Sequence, residues 1–104
     1  MSERAKYDVV VSERARDMLF DHARFLAQVS VSTAEKLFDR FEERVESLED
    51  MPERCSFYIN PYIKTGKYRK LDFGNHLWII FQIKGRKVLI DLVIDARAKN
   101  MDLI

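Results

Sequence analysis

Two stretches in the first half of the chain carry apolar residues at three- and four-residue steps. Ser12 is placed to cap a first helix beginning at Glu13, whose stripe consists of Ala15, Met18, Leu19, His22, Phe25, Leu26 and Val29. A second helix opens at Ser32, which has capping-box spacing to Glu35, and its stripe consists of Ala34, Leu37, Phe38, Phe41, Val45 and Leu48. Only about three residues separate the two patterns, so we expect an antiparallel helical hairpin that stops near Asp50, before Pro52.

Four other stretches have the composition of β-strands. Residues 7–11 and 68–73 are short and rich in β-branched, aromatic or alternating residues. Residues 76–83 and 88–94 are apolar on both faces, which predicts central, covered strands. Tight turns around Gly74 and Gly85 separate the last three strands, whereas residues 51–67 show no clear period and predict an irregular connection.

The order of these elements predicts an α+β fold. Strands joined by tight turns form an antiparallel sheet, and two amphipathic helices can cover one of its faces. We therefore expect a two-layer sandwich in the order β-α-α-β-β-β, with the helical hairpin packed on an antiparallel sheet. Residues 1–104 form one expected domain, with a core over about 6–96 and a tail over 97–104. The large aromatic residues expected in the core are Phe25, Phe38, Phe41, Trp78 and Phe81.

Composition narrows the class of protein. The chain has 104 residues, 47% of them hydrophobic and 34% charged, which is typical of one globular domain and excludes a disordered chain. A single cysteine, Cys55, excludes an internal disulfide and a four-thiolate zinc site. Neither a signal peptide nor a run of apolar residues long enough to span a membrane is present. We expect a cytoplasmic protein with no membrane partner.

The net charge of +1 conceals an asymmetry along the chain. Residues 1–59 carry 9 Lys and Arg against 13 Asp and Glu, whereas residues 60–99 carry 9 Lys and Arg against three Asp. A local positive field of this kind steers anionic partners toward one part of a surface. The alternative is that these charges only keep a small domain soluble.

The order of the elements and several short motifs resemble the RelE/ParE family of bacterial type II toxins. The resemblance covers residues 7–99 and rests on the Ser12, Ala15 and Leu19 entry into the first helix, on residues 34–37 leading to 48–54, and on the motifs at 68–71, 77–83 and 88–94. It implies a toxin that a cognate antitoxin holds inactive, and an oligomer with that antitoxin. The chain departs from the family pattern at Asp95, where a histidine is common. It also departs after Arg97, where RNA-cleaving members commonly carry Tyr or His.

The chemistry of metal-independent RNA cleavage determines which residues are candidates for a catalytic role. It needs a base, an acid and cations that stabilise the phosphorane. The candidate catalytic residues are Arg69 and Arg97, which we expect to emerge close together at the rim of the sheet. The alternative role for Arg69 is a structural ion pair with Asp95 or Asp72. The candidate residues for binding nucleic acid or a protein target are Lys64, Lys67, Tyr68 and Lys70.

A general acid–base pair is harder to find in the sequence. His22 lies on the apolar stripe of the first helix and His76 at the start of a strand, where both are interpreted as structural residues. Tyr62 and Tyr68 serve equally well in packing, and an arginine beside Asp95 lowers the pKa that a base would need. Cys55 is interpreted as an inert thiol. No spacing is typical of a metal site or a phosphate-binding loop, so neither a metal nor a cofactor is expected.

Three functional hypotheses remain open on the sequence. The first is a ParE-like toxin that inhibits growth by binding a target such as DNA gyrase, and the poor acid–base inventory favours it. The second is a RelE-like endonuclease that cuts mRNA on the ribosome, and the basic second half of the chain favours it. The third is a family member that has lost its toxicity and acts only as a binding partner.

Overall fold

The computed structural model describes residues 6–97. It contains four strands, two helices and one short 3-10 helix: β1 Asp8–Val11, α1 Glu13–Ala27, α2 Val31–Ser47, the 3-10 helix Pro52–Arg54, β2 Arg69–Asp72, β3 Leu77–Lys84 and β4 Lys87–Asp95. Of the predicted tail, only Arg97 falls within this range, and 98–104 lie outside the described residues. The elements follow the predicted order.

The four strands form one sheet in the order β1-β4-β3-β2. The pairs β2–β3 and β3–β4 are antiparallel, as their tight turns require. β1 instead runs parallel to β4, with Val9 opposite Val88. The predicted α+β sandwich of two helices on a sheet is confirmed, and the structure adds that the sheet is mixed. No turn joins β1 to a neighbouring strand, because the helical hairpin follows it, so its direction is set by packing.

Serine side chains begin both helices. The Ser12 hydroxyl accepts a hydrogen bond from the Ala15 amide at 3.0 Å and caps α1 as predicted. α2 starts earlier than predicted, because Ser30 rather than Ser32 has the extended backbone of an N-cap and accepts from the Thr33 amide at 3.2 Å. α2 ends at Ser47, ahead of the left-handed residue Met51 that leads into the 3-10 helix.

The main core lies between the helices and the sheet. Its fully buried members come from both helices and the residue after α2, from the turn after β2 and from the helix-facing positions of the central strands: Ala15, Leu37, Leu48, Phe73, Ile79, Phe81, Val88, Ile90 and Val93. Phe41 and Phe81 are buried as predicted, and Phe38 and Trp78 are partly buried. The prediction for Phe25 is wrong, because its residue is 69% exposed. The buried positions of α1 are Ala15, Leu19 and Ala23, and Phe25 lies about 200° around the helix from Ala23.

The opposite face of the sheet carries a smaller apolar cluster. Tyr58, Ile80, Leu92 and Ile94 are its buried members. A register shift between Ile80 and Phe81 leaves Asp91 as an extra residue in β4, because Ile80 pairs with Leu92 and Phe81 with Ile90. This β-bulge explains how a carboxylate comes to lie beside an apolar cluster, and it positions the site described next.

Candidate functional site

Arg69 acts as a clamp on the backbone of the loop after α2. Its guanidinium donates hydrogen bonds to the carbonyl oxygens of Glu53 and Cys55, at 3.1 Å and 2.7 Å, and lies 4.1 Å from the centre of the Phe57 ring. The Glu53 carboxylate accepts a hydrogen bond from Tyr7, so the same segment is also tied to the start of β1. Neither acidic partner suggested by the sequence is used. Every residue has a backbone carbonyl, so the pattern of side-chain types does not indicate which carbonyls Arg69 will meet. Sequence reasoning missed these partners for that reason.

Arg97 forms a local ion pair. Its Nε and Nη2 donate to the two oxygens of Asp95 at 3.2 Å and 3.0 Å, and its backbone amide donates to the same carboxylate at 2.8 Å. These hydrogen bonds hold the pKa of Asp95 below its usual range. Arg97 remains exposed, with 66% of its side chain accessible.

The structure does not bring Arg69 and Arg97 together, in contrast to the prediction from the sequence. Arg69 pairs with Phe81 of β3, whereas Asp95, two residues before Arg97, pairs with Leu77. Phe81 and Leu77 are four residues apart in β3, so the backbone positions of Arg69 and Asp95 lie about 13 Å apart along the strand direction. Each guanidinium is held by its own neighbours, and the structure gives no support to a pocket shared by the two groups.

Three of the predicted binding residues do come together. Lys64, Lys67 and Tyr68 line a pocket of about 450 Å³, and Arg14 at the start of α1 joins them. The remaining lining residues are Ser12, Tyr62, Ile63, Asp91 and Leu92. We call this the basic pocket. Arg14 is fifty residues from Lys64 in the sequence, and an exposed arginine in the first turns of a helix gives no signal that it lies near the loop before β2.

Tyr68 is committed to a hydrogen bond inside the basic pocket. Its hydroxyl donates to Asp91 at 2.9 Å, and the Gln82 amide donates to the same carboxylate oxygen at 2.8 Å. Desolvation, followed by the bond to Asp91, raises the pKa of Tyr68 to about 12. A hydroxyl in this setting keeps its proton near neutral pH. The hydrogen bond joins two residues that line the pocket, Tyr68 and Asp91.

Lys70 extends the positive surface along the same sheet face. Its Nζ lies 4.4 Å from the centre of the Trp78 ring, and Tyr58 contacts that ring edge-on at 6.1 Å. Side chains two apart on a strand share a face, so Lys70 and Tyr68 point to the same side. Lys70 and Trp78 line a shallower cavity of about 410 Å³ together with Arg54 and Ser56. We call the basic pocket together with Lys70 and Trp78 the basic face.

The remaining candidate groups lie outside the basic pocket. His22 is half-buried on α1 and contributes to the electrostatics of Asp95, and His76 is exposed in the turn before β3 with a φ of 62°. Burial raises the pKa of the Cys55 thiol, which favours the unreactive form. Across residues 6–97, no three histidine, cysteine or carboxylate side chains are arranged to hold a metal ion. None of the helices in this range is long and apolar enough to cross a membrane.

Comparison with known proteins agrees with the fold. Residues 9–100 match the family described as the ParE toxin of the type II toxin–antitoxin system, parDE. A solved structure described as the chromosomal ParDE TA system from P. aeruginosa superposes with a TM-score of 0.71 at 14% sequence identity, covering 90% of this chain and 100% of that one. At that identity the likeness concerns the fold alone. A search of curated proteins finds no match.

Proposed function

Since this chain belongs to the ParE toxin family of type II toxin–antitoxin systems, we propose that it inhibits bacterial growth by binding a target such as DNA gyrase. A cognate antitoxin neutralises it by forming an oligomer with it. Gyrase acts in the cytoplasm, which is therefore the proposed location of the toxin.

The observation that carries this proposal is that the two candidate catalytic arginines and the Tyr68 hydroxyl are already engaged. Arg69 is bound to two carbonyl oxygens, Arg97 to Asp95, and the Tyr68 hydroxyl to Asp91. RNA cleavage without a metal needs a free acid, a free base and cations directed at the phosphate. Such engagement favours binding over cleavage, and so supports the ParE-like hypothesis over the RelE-like one.

The basic face is the proposed contact surface for the target. Lys64 and Lys67 are exposed beside Arg14, and Lys67 also lies 5.3 Å from the centre of the Tyr68 ring. Cations held against aromatic rings lose less conformational freedom on binding than isolated lysines, and they favour acidic partners. We therefore assign Lys64, Lys67, Tyr68 and Lys70 to target binding.

A supercoiling assay with purified gyrase tests the proposal. We expect the wild-type chain to inhibit supercoiling and the variant Lys64→Glu/Lys67→Glu to be weaker by at least about tenfold, which corresponds to about 1.4 kcal/mol. The matched control is Lys84→Glu/Lys87→Glu, which makes the same charge change in the exposed residues on either side of the β3–β4 turn. Equal losses in the two variants would exclude the basic face as the contact surface. Circular dichroism checks that both variants fold.

Primer extension on translated mRNA tests the alternative function. Cuts that follow the codon register would favour a ribosome-dependent nuclease, and we expect none. Folded protein that neither inhibits gyrase nor cuts mRNA would support the hypothesis of lost toxicity. Cleavage of free RNA would contradict both toxin hypotheses, because no complete acid–base set among residues 6–97 is directed at one pocket.

A further inference from the structure

A second and larger groove runs along the helical hairpin. It lies between the first half of α1 and the second half of α2, reaches Val11 of β1, and has a volume of about 810 Å³. We call it the helix groove. Its α2 side extends from Phe38 to just beyond the helix at Glu49, about 16 Å at the rise of an α-helix. None of its lining residues belongs to the basic face.

The floor of the helix groove is apolar. The rings of Phe20 and Phe38 lie 5.2 Å apart, and Phe20 is 52% exposed. Val45 continues the strip two helical turns beyond Phe38, because residues seven apart lie on the same face of a helix. Exposed aromatic surface of this kind marks a contact site when charged residues border it.

The rim of the helix groove is acidic. Asp39, Glu42, Glu43, Glu46 and Glu49 all lie on its α2 side, and the basic residue among the lining groups is Arg16. Glu43 and Glu49 lie 3.9 Å and 3.8 Å from Arg44 and Lys6. The other three carboxylates form no ion pair with residues 6–97.

This row of charges disfavours the isolated fold. Glu42 and Glu46 are four residues apart on α2, and like charges at that spacing destabilise a helix. A ligand that brings positive charge to the rim removes this repulsion at the same time as it covers the floor. The acidic rim therefore favours a positively charged ligand.

We propose that the helix groove binds a basic amphipathic helix of about three turns supplied by a partner protein. Apolar side chains spaced at i, i+3, i+4 and i+7 along that helix pack against Phe20, Phe38 and Val45. Lysine or arginine side chains on its flank meet Glu42 and Glu46. This contact is separate from the proposed target contact, because it uses the acidic rather than the basic surface of the molecule.

Two synthetic peptides test this contact directly. Each has about 11 residues, or three helical turns, and the same leucine spacing, with lysine flanks in one and glutamate flanks in the other. We expect fluorescence anisotropy to show the lysine peptide binding at least about tenfold more tightly, a difference of about 1.4 kcal/mol. Phe20→Ala should weaken the lysine peptide without changing the preference for lysine. Equal binding of the two peptides would overturn the proposal.

A matched pair of charge reversals locates the binding. Glu42→Lys/Glu46→Lys should reverse the peptide preference, whereas Asp17→Lys/Asp21→Lys makes the same charge change at the same spacing on α1, outside the groove. If the α1 variant reverses the preference equally, binding follows net charge and the proposal fails. Self-association of the wild-type chain in sedimentation, abolished by the α2 variant, would assign the groove to a second copy and also overturn it. Failure of gyrase inhibition does not affect any of these readouts.

Discussion

The two faces of the sheet are built differently. The face under the helices is closely packed, and Phe73, Ile79 and Phe81 are fully buried in the same cluster as Leu37. The other face has a few buried apolar residues bordered by an aspartate, a glutamine, a lysine and a partly exposed tryptophan. Stability is therefore concentrated on the first face, and the second face is free to carry charge. This separation allows a small domain to present the proposed binding surface without weakening its core.

The largest loss of stability should come from a substitution on the sheet face that the helices cover. Phe81→Ala removes a fully buried ring from the centre of β3, and we expect a loss of about 3–5 kcal/mol in the free energy of unfolding, measured with urea. Trp78→Ala, three residues away on the same strand but facing the other side, should cost clearly less because Trp78 is only partly buried. Similar losses in the two variants would contradict the contrast between the faces.

Arg69 should matter for folding rather than for toxicity alone. Arg69→Ala leaves the carbonyl oxygens of Glu53 and Cys55 without their donor, and we expect a loss of about 1–3 kcal/mol in urea unfolding. Arg97→Ala is the control, because the pair with Asp95 is solvent-exposed and such pairs contribute little. If Arg69→Ala abolishes growth inhibition at unchanged stability, the arginine contacts the target and the clamp is secondary.

On the sheet face that the helices do not cover, Tyr68 should make the stability of the fold depend on pH in the alkaline range. Tyr68 has a folded pKa of about 12 against an ordinary value of 10.0, so the neutral hydroxyl favours the folded state. Its contribution is complete below pH 10 and is lost as the pH rises toward 12. We expect Tyr68→Phe to flatten this part of the stability profile measured by urea unfolding at several pH values. Tyr62→Phe, an exposed tyrosine at the same pocket, is the control that should leave the profile unchanged.

The smallest effect should be at the edge of the basic face. Lys70→Met removes the ammonium group above Trp78 while keeping most of the side-chain length, and we expect a loss of about 0.5–1 kcal/mol. The chain has one tryptophan, so its fluorescence reports this contact directly. Lys36→Met, at an exposed position on α2, should change neither the spectrum nor the stability. An unchanged spectrum in Lys70→Met would show that the contact is not populated in solution.

Local patterns in the sequence were enough to predict the helices and strands and part of the candidate site. The helical periodicity and the two apolar strands predict the hairpin and the central pair of the sheet, because these signals depend only on neighbouring residues. Lys64, Lys67 and Tyr68 are close in sequence, so their grouping was predictable. The same patterns misplaced Phe25, since the apolar stripe in the sequence is wider than the arc of α1 that is buried, which is marked by Ala15, Leu19 and Ala23.

The features that the sequence did not predict depend on pairing between strands that are distant in the chain. Whether β1 runs parallel or antiparallel, which carbonyls Arg69 meets, and how far it lies from Arg97 all depend on strand register, which no local pattern encodes. The β-bulge brings Asp91 to Tyr68, and the pairing of β1 with β4 brings Arg14 to the same pocket, fifty residues from Lys64 in the sequence. Hydrophobic burial is summed over the whole chain and selects one register, so partners distant in sequence become defined only when the layers pack.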